Sequence, residues 1–196
     1  MASSQHSNVF ENHTFEDRIT KNETNDSDVI DNGEAVISIY CTKIDKNFAN
    51  ASKFLRQHGY QITPEKAHLL WEHAVHNRSV GVLDIRDPDV WDSDLYNFKI
   101  PGAVDYPLPE TLRLPELLQD LGQRLEDEPF VSLLKKPVLI VYCRASFYRT
   151  PTFASIYVKT IPDSAKQYVV LLQGGFEAYL KAAKANDWEL EERRKP

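Results

Sequence analysis

The sequence predicts an α/β fold in which a central parallel β-sheet is covered by helices on both faces. Three observations point there. Along residues 61–190, short apolar runs alternate with segments of helical periodicity. The runs VGVLDI, VLIVY and YVVLL are apolar at consecutive positions, as strands buried on both faces must be. Turn-forming residues separate the two kinds of segment.

Taken in order, residues 1–34 are rich in Asn, Asp, Glu, Ser and Thr without any helical or strand period, and read as a disordered polar tail. Residues 35–60 form an N-terminal extension to which the sequence assigns no role. Within it, AVISIY from Ala35 is a β-prone segment, and NFANASKFLRQHGY supplies a turn of helix leading into the main domain. Thr63 followed by Pro64 and Glu65 is a helix start, because proline's missing N–H costs nothing at the first helical position. Ala67, Leu70, Trp71 and Ala74 form the buried stripe of that helix. The strand VGVLDI follows Asn77 and ends at the charged turn RDPDVWDSD. A second strand is expected over Ala103 to Tyr106. Leu114, Leu117, Leu118, Leu121 and Leu125 predict a helix over Pro115 to Asp127, ahead of the strand VLIVY from Val138. Another helix begins just after Arg149. The strand YVVLL starts at Tyr168, Gly174 and Gly175 break it, and Phe176, Tyr179, Leu180 and Ala183 mark a closing helix.

A chain of 196 residues has room for one ordinary domain with an appendage. Hydrophobic content of 42% supports a core, and 27% charged residues supply a soluble surface. No apolar run approaches the ~18 residues of a membrane span, and the start lacks the basic-then-apolar order of an export signal. The expectation is a cytoplasmic protein, with the nucleus as the alternative, and no membrane partner. The Asn-x-Ser/Thr sites at Asn12, Asn22, Asn25, Asn50 and Asn77 are then compositional coincidences. A net charge of −6 argues against nucleic acid as a partner, because phosphate neutralisation relies on clustered Lys and Arg. Oligomeric state is left open. Cys41 and Cys143 are far apart and in no Cys-x-x-Cys spacing, so neither a disulfide framework nor a zinc site is indicated. Only His73 and His76 of the first helix have facing spacing, and no acidic or cysteine ligand completes a metal set.

The chemistry concentrates between Cys143 and Arg149. Cys143 ends a central strand shortly before a helix begins, where open parallel sheets place ligands. The N–H groups of such a loop and the helix N-terminus favour an anion at one point, and with Arg149 they favour the thiolate, the nucleophilic form of cysteine. Arg149 can donate two parallel hydrogen bonds to a tetrahedral oxyanion. Taken alone, Cys143 would be a small buried residue at a strand end. Two features point further: an arginine at a helix N-terminus asks for a balancing anion, and Thr150-Pro151 starts that helix sharply.

Four ordered segments, VLDIRDPDVW, KIPGAVDYPL, VLIVYCRASFYRTP and LLQGGFEAY, resemble the rhodanese superfamily over about 130 residues. The resemblance implies a rhodanese-like domain over residues 61–190. The loop CRASFYR, with five residues between Cys and Arg, is similar to that of the M-phase inducer phosphatases and the related eukaryotic arsenate reductases; ordinary sulfurtransferases have a loop one residue shorter. Departures are Tyr142 in place of the phosphatases' His before Cys, Lys99 in place of the His before Ile-Pro-Gly-Ala, and the bulky Phe147 and Tyr148, which either frame a substrate or close the pocket. Asp84 and Arg86 look like fold-supporting residues.

The resemblance implies a cysteine-dependent phosphatase acting on a phosphorylated protein or a small phosphate, with no metal and no cofactor. Cys143 would be the nucleophile, while Arg149 and the loop Arg144, Ala145, Ser146, Phe147 and Tyr148 bind the oxyanion. Glu110 lies where the inducer phosphatases carry acidic residues and is the candidate acid. Alternatives are arsenate reduction resolved by an external thiol, with Cys41 as a further candidate resolving thiol, thiosulfate sulfurtransfer, and an inactive rhodanese-fold binding module.

Overall fold

The computed structural model describes residues 33–44, 52–74, 79–87, 94–108, 114–161 and 167–193, without the side chains of residues 73, 74 and 94. The tail over residues 1–32, the turn over 88–93, the Ala74 and His73 side chains, His76 and Glu110 lie outside the described residues.

Helix α1 (Gly33–Tyr40) and strand β1 (Thr42–Lys43) come first. The helix corrects an expectation, since AVISIY is helical and not extended, and it begins two residues inside the stretch read as tail. Its β-branched residues favour strands by less than ~0.7 kcal/mol each. Burying a large aliphatic or aromatic side chain is worth about 1.5–3 kcal/mol. Val36, Ile37 and Tyr40 share one helical stripe and are all buried, so packing outweighs propensity.

Helix α2 (Lys53–His58) starts at Ser52, whose Oγ accepts from Leu55 N at 3.3 Å. Strand β2 (Tyr60–Ile62) leads to α3 (Pro64–Ala74), capped by Thr63 as predicted: its Oγ1 accepts from Lys66 N at 3.3 Å. Ala67 and Leu70 are buried and Trp71 packs beside them. Then follow β3 (Val80–Asp84), α4 (Asp94–Asn97), β4 (Phe98–Lys99) and β5 (Val104–Asp105). Helix α5 (Leu114–Arg124) buries Leu117 and Leu121 but leaves Leu114 and Leu118 exposed, so the apolar stripe is narrower than the leucine pattern implied. A short helix α6 (Phe130–Leu134) precedes β6 (Val138–Tyr142). The chain closes with α7 (Arg149–Thr160), β7 (Tyr168–Leu172), α8 (Gly175–Asn186) and β8 (Glu191–Glu192).

Six strands form one sheet in the order β1-β2-β7-β6-β3-β5, all parallel except the outermost β1. Strand β6 is central and every one of its residues is buried. Its alternation divides the core. Leu139, Val141 and Cys143 join Leu83, Ile85, Val169 and Leu171 under α2, α5, α6 and α7. Val138, Ile140 and Tyr142 join Val82, Val170 and Leu172 under α1, α3 and α8. The predicted parallel sheet with helices on both faces is the observed architecture, and it sets Cys143 at the C-terminal end of the middle strand.

Candidate active site

Residues 143–149 connect β6 to α7, and their shape is fixed from beneath by the turn into α8. Phe176 N donates to Cys143 O at 3.0 Å and Glu177 N to Arg144 O at 2.9 Å, so the first amides of α8 hold the loop's first two carbonyls. Only glycine permits this approach at residue 175. Its φ is +62°, and a Cβ there would stand 2.5 Å from Cys143 O and 2.4 Å from Arg144 O.

The loop then curls over the sulfur. Ser146, at φ +52°, turns its amide back so that N donates to Cys143 Sγ at 3.2 Å. Thr150 Oγ1 donates to Ser146 Oγ at 3.3 Å, and both hydroxyl-bearing residues are buried. Cys143 is itself buried, at 5% exposure. Arg149 opens α7, and its Nη1 stands 3.8 Å from Asp87 Oδ2. That carboxylate is the balancing anion a helix-start arginine asks for. Arg144 points away to Glu177, with Nε to Oε2 at 3.4 Å, and Ala145 is exposed. Phe147 and Tyr148 are 48% and 65% exposed, packed edge to face at 4.8 Å between centroids. Their bulk is directed outward, which decides between the two placements left open by the sequence.

Under the loop lies a buried ionic network. Arg86 Nε donates to both oxygens of Asp84 at 2.9 and 3.0 Å, its Nη2 is paired with the same carboxylate, and Arg86 N donates to Asp84 Oδ1 at 3.0 Å. Tyr142 replaces the expected His by donating its hydroxyl to Asp84 Oδ2 at 3.1 Å and accepting from Ile100 N at 3.3 Å. Burial pushes the Tyr142 phenol well above its ordinary range, so it remains a donor to that carboxylate. Lys99, the other departure, donates to Ala103 O at 2.8 Å and Asp105 Oδ2 at 2.9 Å, tying down the Ile-Pro-Gly-Ala turn. Arg193 reaches the network from the chain's far end, with Nε 3.0 Å from Asp105 Oδ1 and 3.8 Å from Asp84 Oδ2.

Of the site residues named from sequence, Ser146 meets Cys143 through its amide, Arg149 meets Asp87, and the side chains of Arg144, Phe147 and Tyr148 are directed away from the sulfur, while Glu110 lies outside the described residues. Cys41 is elsewhere: it packs against the core of the opposite face, beside the outermost strand. Burial pushes its thiol up to about 12, so it stays protonated at neutral pH, unlike a resolving thiol. Asp87 and Arg193 were not found in the sequence. Asp87 was one acid in a turn-rich run, and its meeting with Arg149 is a consequence of β3 and β6 being neighbours. Among the described residues no group of three metal-ligating side chains occurs.

A parallel sheet bearing a cysteine-to-arginine loop between its middle strand and a helix, braced by an Asp-x-Arg pair and a Gly-Gly turn, defines a rhodanese-type domain. Residues 66–182 match the family model of the rhodanese-like domain, and the chain belongs to that family. Among solved structures, an As-Sb reductase from Leishmania major is 21% identical, with a TM-score of 0.45 over 67% of this chain and 91% of that one. A yeast protein tyrosine phosphatase of the rhodanese family is 19% identical, with a TM-score of 0.47 over 65% of this chain and 88% of that one. None of the curated proteins matches the chain.

Proposed function

We propose that the protein hydrolyses phosphomonoesters through a phosphocysteine on Cys143. The observation that carries the reading is the loop itself. Five residues separate Cys143 from Arg149, the Ser146 amide is aimed at Sγ at 3.2 Å, and the two bulky rings face outward. A ring of amides of this size suits a tetrahedral oxyanion, and an arginine at its edge adds charge.

In the first step the Cys143 thiolate attacks phosphorus, the S–P bond forms, and the bond to the leaving oxygen breaks. That oxygen takes a proton from an acid, for which Glu110 remains the candidate. Loop amides and Arg149 hold the three outer oxygens as their charge grows. A guanidinium has five N–H donors, so the contact with Asp87 orients Arg149 and leaves capacity for substrate. Water then attacks phosphorus and gives its proton back to the carboxylate left by the first step, the S–P bond breaks, and the thiolate returns with phosphate as product. Arsenate reduction by an external thiol would use the same first geometry. Thiosulfate sulfurtransfer is disfavoured by the loop length.

The test is steady-state hydrolysis of an aryl phosphate, whose leaving group needs little acid assistance, under reducing conditions. Cys143→Ser is expected to abolish turnover, and Arg149→Ala to lower kcat by at least about a hundredfold, the usual cost of one oxyanion donor. Wild-type protein that neither turns over the ester nor binds vanadate would overturn the proposal in favour of a binding module.

A further inference from the structure

At the opposite end of the sheet from Cys143, the structure holds a cavity of about 500 Å³. Strands β2, β7 and β6 run parallel, and Tyr60 and Tyr168 are the first residues of β2 and β7, whereas Cys143 follows the last residue of β6. Both tyrosines line this cavity, with α2 as the facing wall and Val158 and Ile161 from the end of α7 beneath.

The lining is aromatic on two sides. Tyr60 and Tyr168 pack edge to face at 6.0 Å, and across from them Phe54 and His58 lie 4.8 Å apart. Phe54 is a large apolar side chain left 42% exposed at this spot. Edge-to-face tyrosines set against a second ring pair offer ring faces and edges to a flat guest. Lys43 lines the cavity and brings a positive charge to it, its Nζ 3.9 Å over the Tyr60 ring and 3.5 Å from Gln57 O. Among the described residues no carboxylate lines the cavity; Glu34, which accepts from the Tyr168 hydroxyl at 3.5 Å, is not among the lining residues.

We propose that the cavity between α2 and the N-terminal ends of β2 and β7 is a binding site for a small flat aromatic anion. The ring system inserts between the Phe54/His58 and Tyr60/Tyr168 walls, and the anionic group meets Lys43. The cavity and Cys143 occupy opposite strand ends, so Cys143 makes no contact with a molecule bound there.

The test uses full-length protein and 8-anilinonaphthalene-1-sulfonate, with N-phenyl-1-naphthylamine as the same ring system without the sulfonate, both followed by fluorescence titration. Saturable binding of the sulfonate is expected with wild type and equally with Cys143→Ser. Lys43→Gln is expected to weaken the sulfonate about tenfold, one charge-assisted contact, and to leave the neutral compound unchanged. Phe54→Ala is expected to weaken both. Sulfonate binding that is unsaturable, or that is indifferent to Lys43→Gln and to Phe54→Ala, would overturn the assignment. So would a Lys43→Gln effect of equal size on the neutral compound, since it would show lost shape and not lost charge.

Discussion

Asp84 accepts from two arginine groups and a tyrosine while being fully buried, an arrangement that makes sense only as a unit. A buried carboxylate is costly until its oxygens are filled by donors, and each partner here is itself held by another. Arg86 also lies 3.9 Å over the Phe176 ring, which joins the network to the helix that grips the 143–149 loop. His68 shows the same logic with a titratable consequence. It stacks on Trp188 at 3.9 Å, shares a contact of 3.2 Å with the Tyr179 hydroxyl, and burial holds its imidazole below the ordinary range against the pull of Glu72. The unfolded chain therefore takes up this proton first as pH falls. The stability His68 contributes is complete above its ordinary value of about 6.5 and is lost as pH drops from there toward the lower folded value. Denaturant midpoints compared at about pH 7.5 and about pH 5 should show a decline that His68→Phe, which keeps the stack, makes smaller. An undiminished decline in that variant would remove His68 from the account. At this scale Cys143, Arg149, Asp84 and Arg86 were legible because they occur in ordered motifs. Asp87, Arg193 and the stack on His68 were not, because each depends on a partner distant in sequence.

Elements were legible where a period or a cap marked them. The Thr63 cap, the uniformly apolar β6 and the Gly-Gly break each predicted structure that was then observed. AVISIY misled because six residues hold less than two helical turns, too few for periodicity to outweigh β-branching. The strand pair β4–β8 was invisible because two-residue strands carry no period. Glycines separate the elements by what surrounds them. Gly175→Ala would drive a Cβ into two loop carbonyls from a left-handed backbone, with a strain of about 1–2 kcal/mol before any steric shift. Its expected signature is a loss of stability together with at least about a tenfold fall in kcat/KM for aryl phosphate, because the loop proposed to bind the oxyanion is displaced. Gly122→Ala, in α5 with nothing within 4 Å of the new Cβ, should instead stabilise by about 0.5–1 kcal/mol and leave kinetics alone. Chemical denaturation and steady-state assays of the two variants check both signs.

For the molecule as a whole, the segments outside the family match close the fold from both ends. Helix α1 covers β6 and α3, and after α8 the chain returns so that β8 pairs with β4. Glu191 Oε2 accepts from Gly102 N at 2.7 Å, and Arg193, 2% exposed at its side chain, enters the Asp84 network. The segment through Arg193 is thereby fastened to the network beneath the loop that begins at Cys143. Arg193→Ala should lower global stability by about 2 kcal/mol, the worth of a hydrogen bond to a charged group, measured by urea unfolding; an unchanged midpoint would mean the clamp is incidental. The parallel sheet was predictable because three strands, β3, β6 and β7, repeat one apolar pattern, whereas this closure rests on single contacts. Whether the sulfur of Cys143 carries the phosphoryl group is read by acid-quenching an aryl phosphate reaction within its first turnover and mapping the products by peptide mass spectrometry. A phosphoryl group is expected on the peptide containing Cys143 and absent in Cys143→Ser. Turnover without any such adduct, or undiminished in that variant, would contradict the proposal.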